Sequence, residues 1–179
     1  MEVFNIILEE ITSVINKVEK QDFDKALNAI SKEKRIFVDG EGRSGLMAKG
    51  FAMRLMHLGY EVFVIGETIT PALKEKDLFI AVSGSGKSVN VVSDTKKAKT
   101  IGCEVIAFTS NLNSELALIS DIVVTVPGTV KGDKGEKRGS VQLLSSLFDQ
   151  SIHIVLDGVC LCLSRRDNIS NDTATNGHW

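Results

Sequence analysis

Arg35-Ile36-Phe37-Val38-Asp39, running into Gly40-Glu41-Gly42-Arg43-Ser44-Gly45, decides the fold of this 179-residue chain. The first five residues form a short apolar run of strand type, and the glycines end it. From about Ser44 to Leu58 the residues take on helical character, and Gly59 stops them. Strand, glycine turn and helix in that order open a crossover unit, which joins parallel neighbours in a sheet.

The same alternation recurs downstream. Tyr60–Ile65 and Asp77–Val82 read as strands, Val91–Thr100 as a helix and Glu104–Phe108 as a strand. Ser114–Ile119 is a short helix and Asp121–Val126 the last strand. The pattern predicts a three-layer α/β domain, its parallel sheet covered on both faces. Upstream, residues 1–33 hold two helices. Phe4, Ile7, Leu8, Ile11, Val14, Ile15 and Val18 form one narrow stripe on the first, and the second opens at Asp22. Residues 34–163 form the α/β core. It includes a charged, glycine-rich loop from Pro127 to Ser140, expected to be mobile, and a closing helix from about Val141 to Leu163. The tail, 164–179, is polar and has no period, so it should order only against a partner.

Composition bounds the rest. With 43% apolar and 25% charged residues, the chain reads as one globular domain, not a disordered or disulfide-built one. A net charge of −2 argues against nucleic acid, so any phosphate must be met locally by amides and a few cations. Cys103, Cys160 and Cys162 have no metal spacing, and the last two read as small buried hydrophobes. No apolar run approaches the roughly 20 residues of a spanning helix. Met1-Glu2-Val3-Phe4 leads into Glu9-Glu10 without a secretory signal, so a cytoplasmic protein with no membrane partner is expected.

Two Gly/Ser clusters each follow a strand and lead into a helix, where a parallel sheet presents unpaired amides to ligands. The first makes a poor dinucleotide fingerprint. Its third glycine comes one place early for G-x-G-x-x-G, and no acidic residue ends the next strand. The second, Ser83-Gly84-Ser85-Gly86-Lys87-Ser88, interleaves hydroxyls with glycines at a helix start. It suits a phosphate monoester without a metal, or else forms a plain turn with a Ser cap.

The run Gly42–Lys49, continuing through Phe51–Gly59, resembles the 6-phospho-3-hexuloisomerases of the sugar isomerase (SIS) superfamily. So do Gly66-Glu67-Thr68 with Thr70-Pro71, and the Ser83–Ser88 cluster; together the similarity covers about Asp22 to Val159. The resemblance implies interconversion of arabino-3-hexulose 6-phosphate and fructose 6-phosphate through an enediolate, in formaldehyde fixation by the ribulose monophosphate route. It also implies a five-stranded parallel sheet of flavodoxin-like order and a homotetramer, a dimer of dimers with shared sites. Ser44, Ser83, Gly84, Ser85, Gly86 and Ser88 would hold the phosphate. Gly42, Arg43, Arg54 and Thr68 would line the sugar, and Asp149, His178 and Glu67 would serve acid–base roles. No cofactor or metal is implied.

Two departures stand out. The family's last helix usually opens Gln-Pro-Met-Gly-Ser-Leu-Phe-Glu-Gln, whereas this chain reads Gln142-Leu143-Leu144-Ser145-Ser146-Leu147-Phe148-Asp149-Gln150, so the base is one methylene shorter. The usual His-containing tail is matched only by His178. Local readings stand beside the implied ones. Asp149, His153 and Asp157 would share a helix face as a charged cluster. Arg54 would make an interface ion pair, and His57 would sit as a cation at a helix end. At the level of function, the alternatives are a phosphosugar-binding regulator and an SIS isomerase of another sugar phosphate.

Overall fold

The structure, a computed structural model, describes residues 1–135 and 138–178. Glu136 and Lys137, in the charged loop, and Trp179, at the end of the tail, lie outside the described residues. Five strands, β1 (Ile36–Gly40), β2 (Val62–Val64), β3 (Leu78–Val82), β4 (Glu104–Thr109) and β5 (Ile122–Thr125), pair in parallel in the order β2-β1-β3-β4-β5. That is the doubly wound, flavodoxin-like order, whose direction reverses between β1 and β3. Every residue of β3, Leu-Phe-Ile-Ala-Val, is buried, as a strand covered on both faces requires.

Among the described residues, seven helices surround the sheet or pack on those that do: α1 (Glu2–Ile15), α2 (Lys20–Ala29), α3 (Gly42–His57), α4 (Val89–Ile101), α5 (Glu115–Ile119), α6 (Ser146–Arg166) and α7 (Asn171–Asn176). Side chains alternate along each strand, so two cores form. Ile36, Val38 and Ile80 pack with α1, α3 and α6, whereas Phe37, Phe79 and Ala81 pack with α4 and α5. α3 packs against the end of β1 because Gly45 has no side chain. A Cβ there would lie 2.5 Å from the Gly40 carbonyl oxygen.

Several expectations change. The closing helix starts at Ser146, five residues late, because Leu144 takes φ +53° and Val141, Leu143 and Leu144 face solvent. That helix, α6, is long and apolar enough to cross a membrane by length and composition, a run the sequence reading did not credit. Ten of its residues are nevertheless buried in the fold, Asp149 among them, and it is a core helix. The tail is ordered within one chain. Ser170 caps α7 by accepting a hydrogen bond from the Thr173 amide, and Ile169 packs onto the core. On α1, Ile11 and Val14 are buried, but Phe4 and Leu8 remain exposed. Cys160 is buried as expected, and burial pushes its thiol up to about 12.

Asp39 is the exception in the sheet. It shares the Phe37 face of β1, is 6% exposed, and its Oδ2 finds no hydrogen-bond partner among the described residues. Burial first, then the Asp94 and Glu41 charges, push its carboxyl up to about 6, against a smaller lowering by a backbone hydrogen bond at Gly40. A folded-state pKa above the unfolded value favours folding fully below about pH 4, and the contribution is lost as pH rises through 6. At neutral pH the ionised form costs on the order of 3 kcal/mol. Asp39→Asn should therefore raise Tm at pH 7.5 by several degrees, with a gap that narrows at pH 5. Melting curves with the same gap at both values would contradict this.

Candidate active site

At the carboxyl end of the sheet, the N-termini of α3, α4 and α6 converge on one cavity of about 330 Å³. Glu41, Arg43 and Ser44 come from the start of α3, and Ser83, Gly84, Ser85 and Ser88 from the turn into α4. Ser145, Ser146 and Asp149 come from the start of α6, while Val130, Lys131, Gly132 and Leu144 complete the wall.

The first amides of a helix need acceptors. None of these three helices supplies one from its N-cap side chain among the described residues. Ser88 and Ser145 both stand at N-cap positions, but neither caps. Ser88 Oγ lies 3.0 Å from Ser83 Oγ, and Ser145 Oγ accepts from the Lys131 amide at 3.1 Å. Elsewhere the chain uses serine conventionally, with Ser114 capping α5 and Ser170 capping α7. The starts of these three helices face the cavity, where their partial positive ends suit an anion; α1 and α2 also lack side-chain caps but do not line it. The turn itself is fixed from below. Gly86 has φ +62°, and a Cβ on it would lie 2.1 Å from Ser114 Oγ. The Gly84 carbonyl accepts from the Ser110 amide at 3.0 Å and from Ser110 Oγ at 2.7 Å.

Asp149 is 2% exposed and lines this cavity. Ser44 Oγ donates to its Oδ1 at 2.7 Å, and Arg43 Nε lies 3.9 Å from its Oδ2. Burial raises the carboxyl above the ordinary range, against lowering by the Ser44 hydrogen bond and the Arg43 charge. Arg43 is itself held by Ser146, Nη1 to Oγ at 2.8 Å. Ser44, expected at the phosphate, lines the cavity and donates to this carboxylate.

The remaining expected residues lie apart from the cavity. Gly42, at φ +58°, forms the turn into α3, and Gly86 sits behind the wall. Glu67 and Thr68 are exposed past β2, where Glu67 pairs with Lys49 at 2.8 Å. Arg54 lies ten residues along α3 from Ser44, about 15 Å by helix rise. It lines a different groove with Asp157, Ser170 and Asn171. His178 stacks on His57, with ring centroids 5.2 Å apart. His57 is buried in the last turn of α3, and desolvation, then Arg54 and His178, hold its pKa below the ordinary value. The expected Asp149–His153–Asp157 cluster does not form either. Asp149 turns inward, while His153 faces Asp157 at 3.6 Å in solvent. The sequence reading missed Lys131, Ser145 and Ser146. A helix start at Ser146 would have pointed to the serines.

Comparison with known proteins places this geometry. The SIS domain family model matches residues 29–154. A protein from Bacillus subtilis named 3-hexulose-6-phosphate isomerase is 35% identical over 96% of this chain and 93% of its own length. One of the same name from Mycobacterium gastri is 39% identical over 87% of this chain and 77% of its own. A Methanococcus jannaschii crystal structure, described as inferring a function of 3-hexulose-6-phosphate isomerase, superposes with a TM-score of 0.84 at 29% identity, covering 100% of this chain and 98% of its own.

An anion cradle and a helix cap respond differently to mutation. Ser88→Ala should weaken fructose 6-phosphate binding about 3- to 10-fold in calorimetry, the effect of one hydrogen bond to a charged group, with little change in Tm. Ser114→Ala, which removes a cap worth about 1 kcal/mol, should lower Tm by a few degrees and leave binding unchanged. The reverse pattern would make Ser88 a structural residue.

Proposed function

Because the chain belongs to the SIS domain family, and within it to the 3-hexulose-6-phosphate isomerases, we propose that it interconverts arabino-3-hexulose 6-phosphate and fructose 6-phosphate at this cavity. The observation that carries the assignment to this site is a buried carboxylate, Asp149, beside three uncapped helix N-termini in one cavity. The phosphate sits among Ser83, Ser85, Ser88 and the first amides of α4. Asp149 takes the proton from C2 of the 3-ketose and returns it to C3. The hydroxyl proton passes from O2 to O3, and the carbonyl moves to C2. Donors around the intermediate stabilise the enediolate oxygens, with Arg43 and the α6 amides nearest Asp149. Ser44 orients the base. Burial keeps Asp149 basic enough to take a carbon-bound proton, so the acid limb of kcat/KM should lie above the ordinary aspartate range.

Arg54 and His178 reach a site only if a neighbouring chain brings them there. A homotetramer arranged as a dimer of dimers is the assembly we infer. α3 supports it, because Leu46, Met53 and Met56 are 63%, 48% and 44% exposed beside Arg54, a surface that water does not favour. A role in cytoplasmic formaldehyde fixation follows from the same reading. Light scattering coupled to gel filtration tests the assembly, and a stable active monomer would remove the shared site.

The decisive assay couples fructose 6-phosphate production to turnover of the 3-hexulose 6-phosphate. Asp149→Asn keeps the shape of the side chain and loses the base, so turnover should fall by roughly 10²- to 10⁴-fold with little change in binding. Asp149→Glu should keep activity. Near-normal turnover by the Asn variant would move the base elsewhere. Tight binding with no turnover in the wild type would identify a phosphosugar-binding regulator.

A further inference from the structure

The segment from Arg138 to Ser145 is a strap with no helix or strand, joining the charged loop to α6. Its far end matters to the site: Leu144 and Ser145 line the cavity, and Ser145 Oγ accepts from the amide of Lys131, which lines it too. Apolar burial does not hold the strap down, since Val141, Leu143 and Leu144 are 73%, 78% and 63% exposed. Polar ties do. Glu10, on α1 and remote in sequence, accepts from Ser140 Oγ at 2.7 Å, the Val141 amide at 2.9 Å and Gln142 Nε2 at 3.0 Å. Arg138 donates to the carbonyls of Gln142 and Leu144, closing the turn that holds Leu144 at φ +53°.

We propose that Glu10 is a positioning residue of the site: its carboxylate anchors the strap that carries the Leu144–Ser145 wall of the cavity. The inference rests on the isomerase reading for its kinetic test and on the structure alone for its mechanical one. Burial would raise the Glu10 carboxyl, but hydrogen bonds from Gln142, Val141 and Ser140 hold it below the ordinary range. A left-handed Leu144 is strained, and such a conformation persists only where its surroundings over-determine it. Once Glu10 is removed, the strap relaxes and the wall moves away from the bound phosphosugar. Asp149 stays in place, because Leu147, Phe148 and Ile152 fix α6 in the core. The expected signature is therefore a defect in binding without one in chemistry.

Glu10→Ala should raise KM for the 3-hexulose 6-phosphate about tenfold, equivalent to about 1.4 kcal/mol, with kcat within about twofold of wild type. Trypsin should cut after Lys134 or Arg138 faster than in the wild type. Fructose 6-phosphate should restore part of the protection. Glu10→Gln, which keeps one accepting oxygen, should recover part of the affinity, and Glu9→Ala should behave as wild type. Ser140→Ala combined with Gln142→Ala leaves α1 intact and should reproduce most of the KM rise, with only a smaller further rise when Glu10→Ala also removes the Val141 amide bond. Unchanged KM in Glu10→Ala overturns the proposal whether or not the strap is cut faster, and so does a fall in kcat alone. If the wild type binds fructose 6-phosphate without turnover, the isomerase reading fails, and the same comparison on Kd decides the role of Glu10.

Discussion

Three helix starts brought to one cavity without side-chain caps are the constraint on which this structure turns. Each of α3, α4 and α6 begins at the cavity with its first-turn N–H groups unserved by an N-cap side chain. Such donors are suited to an anion placed between them, which is where the proposed reading puts the phosphate. The sheet order makes the convergence possible. Reversal of direction between β1 and β3 sends α3 to one face and α4 to the other, opening a crevice where their starts meet. Gly45 and Gly86 then allow the close approaches that the crevice needs.

In the proposed reading, phosphate recognition and proton transfer fall to different groups. The cavity wall sets the hydroxyls of Ser83, Ser85 and Ser88 beside two cations, Arg43 and Lys131, which is a local donor set suited to a phosphosugar in a chain of net charge −2. The one deeply buried charge at the cavity is Asp149, held by Ser44 and approached by Arg43. Burial raises its pKa, while the start of α6 and the Arg43 charge favour its ionised form. Neutral donors can bind the phosphate without further lowering the basicity that proton abstraction needs.

Much of the fold was legible because its signals are local. Strand runs such as Leu78–Val82, glycine turns and intervening helices each carry their own pattern, and the parallel sheet follows from their alternation. The start of α6 was not legible in the same way. Val141, Leu143 and Leu144 look like the first turn of an apolar helix, but long-range ties from Glu10 and local ones from Arg138 hold them in another conformation. The tail was misread because its order comes from capping by Ser170 and from Ile169 on the core, not from a periodic stripe. For the site, the Ser83–Ser88 cluster was visible as a motif. The contact of Ser44 with Asp149 joins residues 105 positions apart and has no local signature.

The most direct measurement is a crystal structure of the protein with fructose 6-phosphate. The account predicts the phosphate between the starts of α3, α4 and α6, within hydrogen-bonding distance of Ser83, Ser85 and Ser88, with the sugar extending toward Asp149. A phosphate bound instead beside Lys87 and Asn111, or in the Arg54 groove, would contradict it.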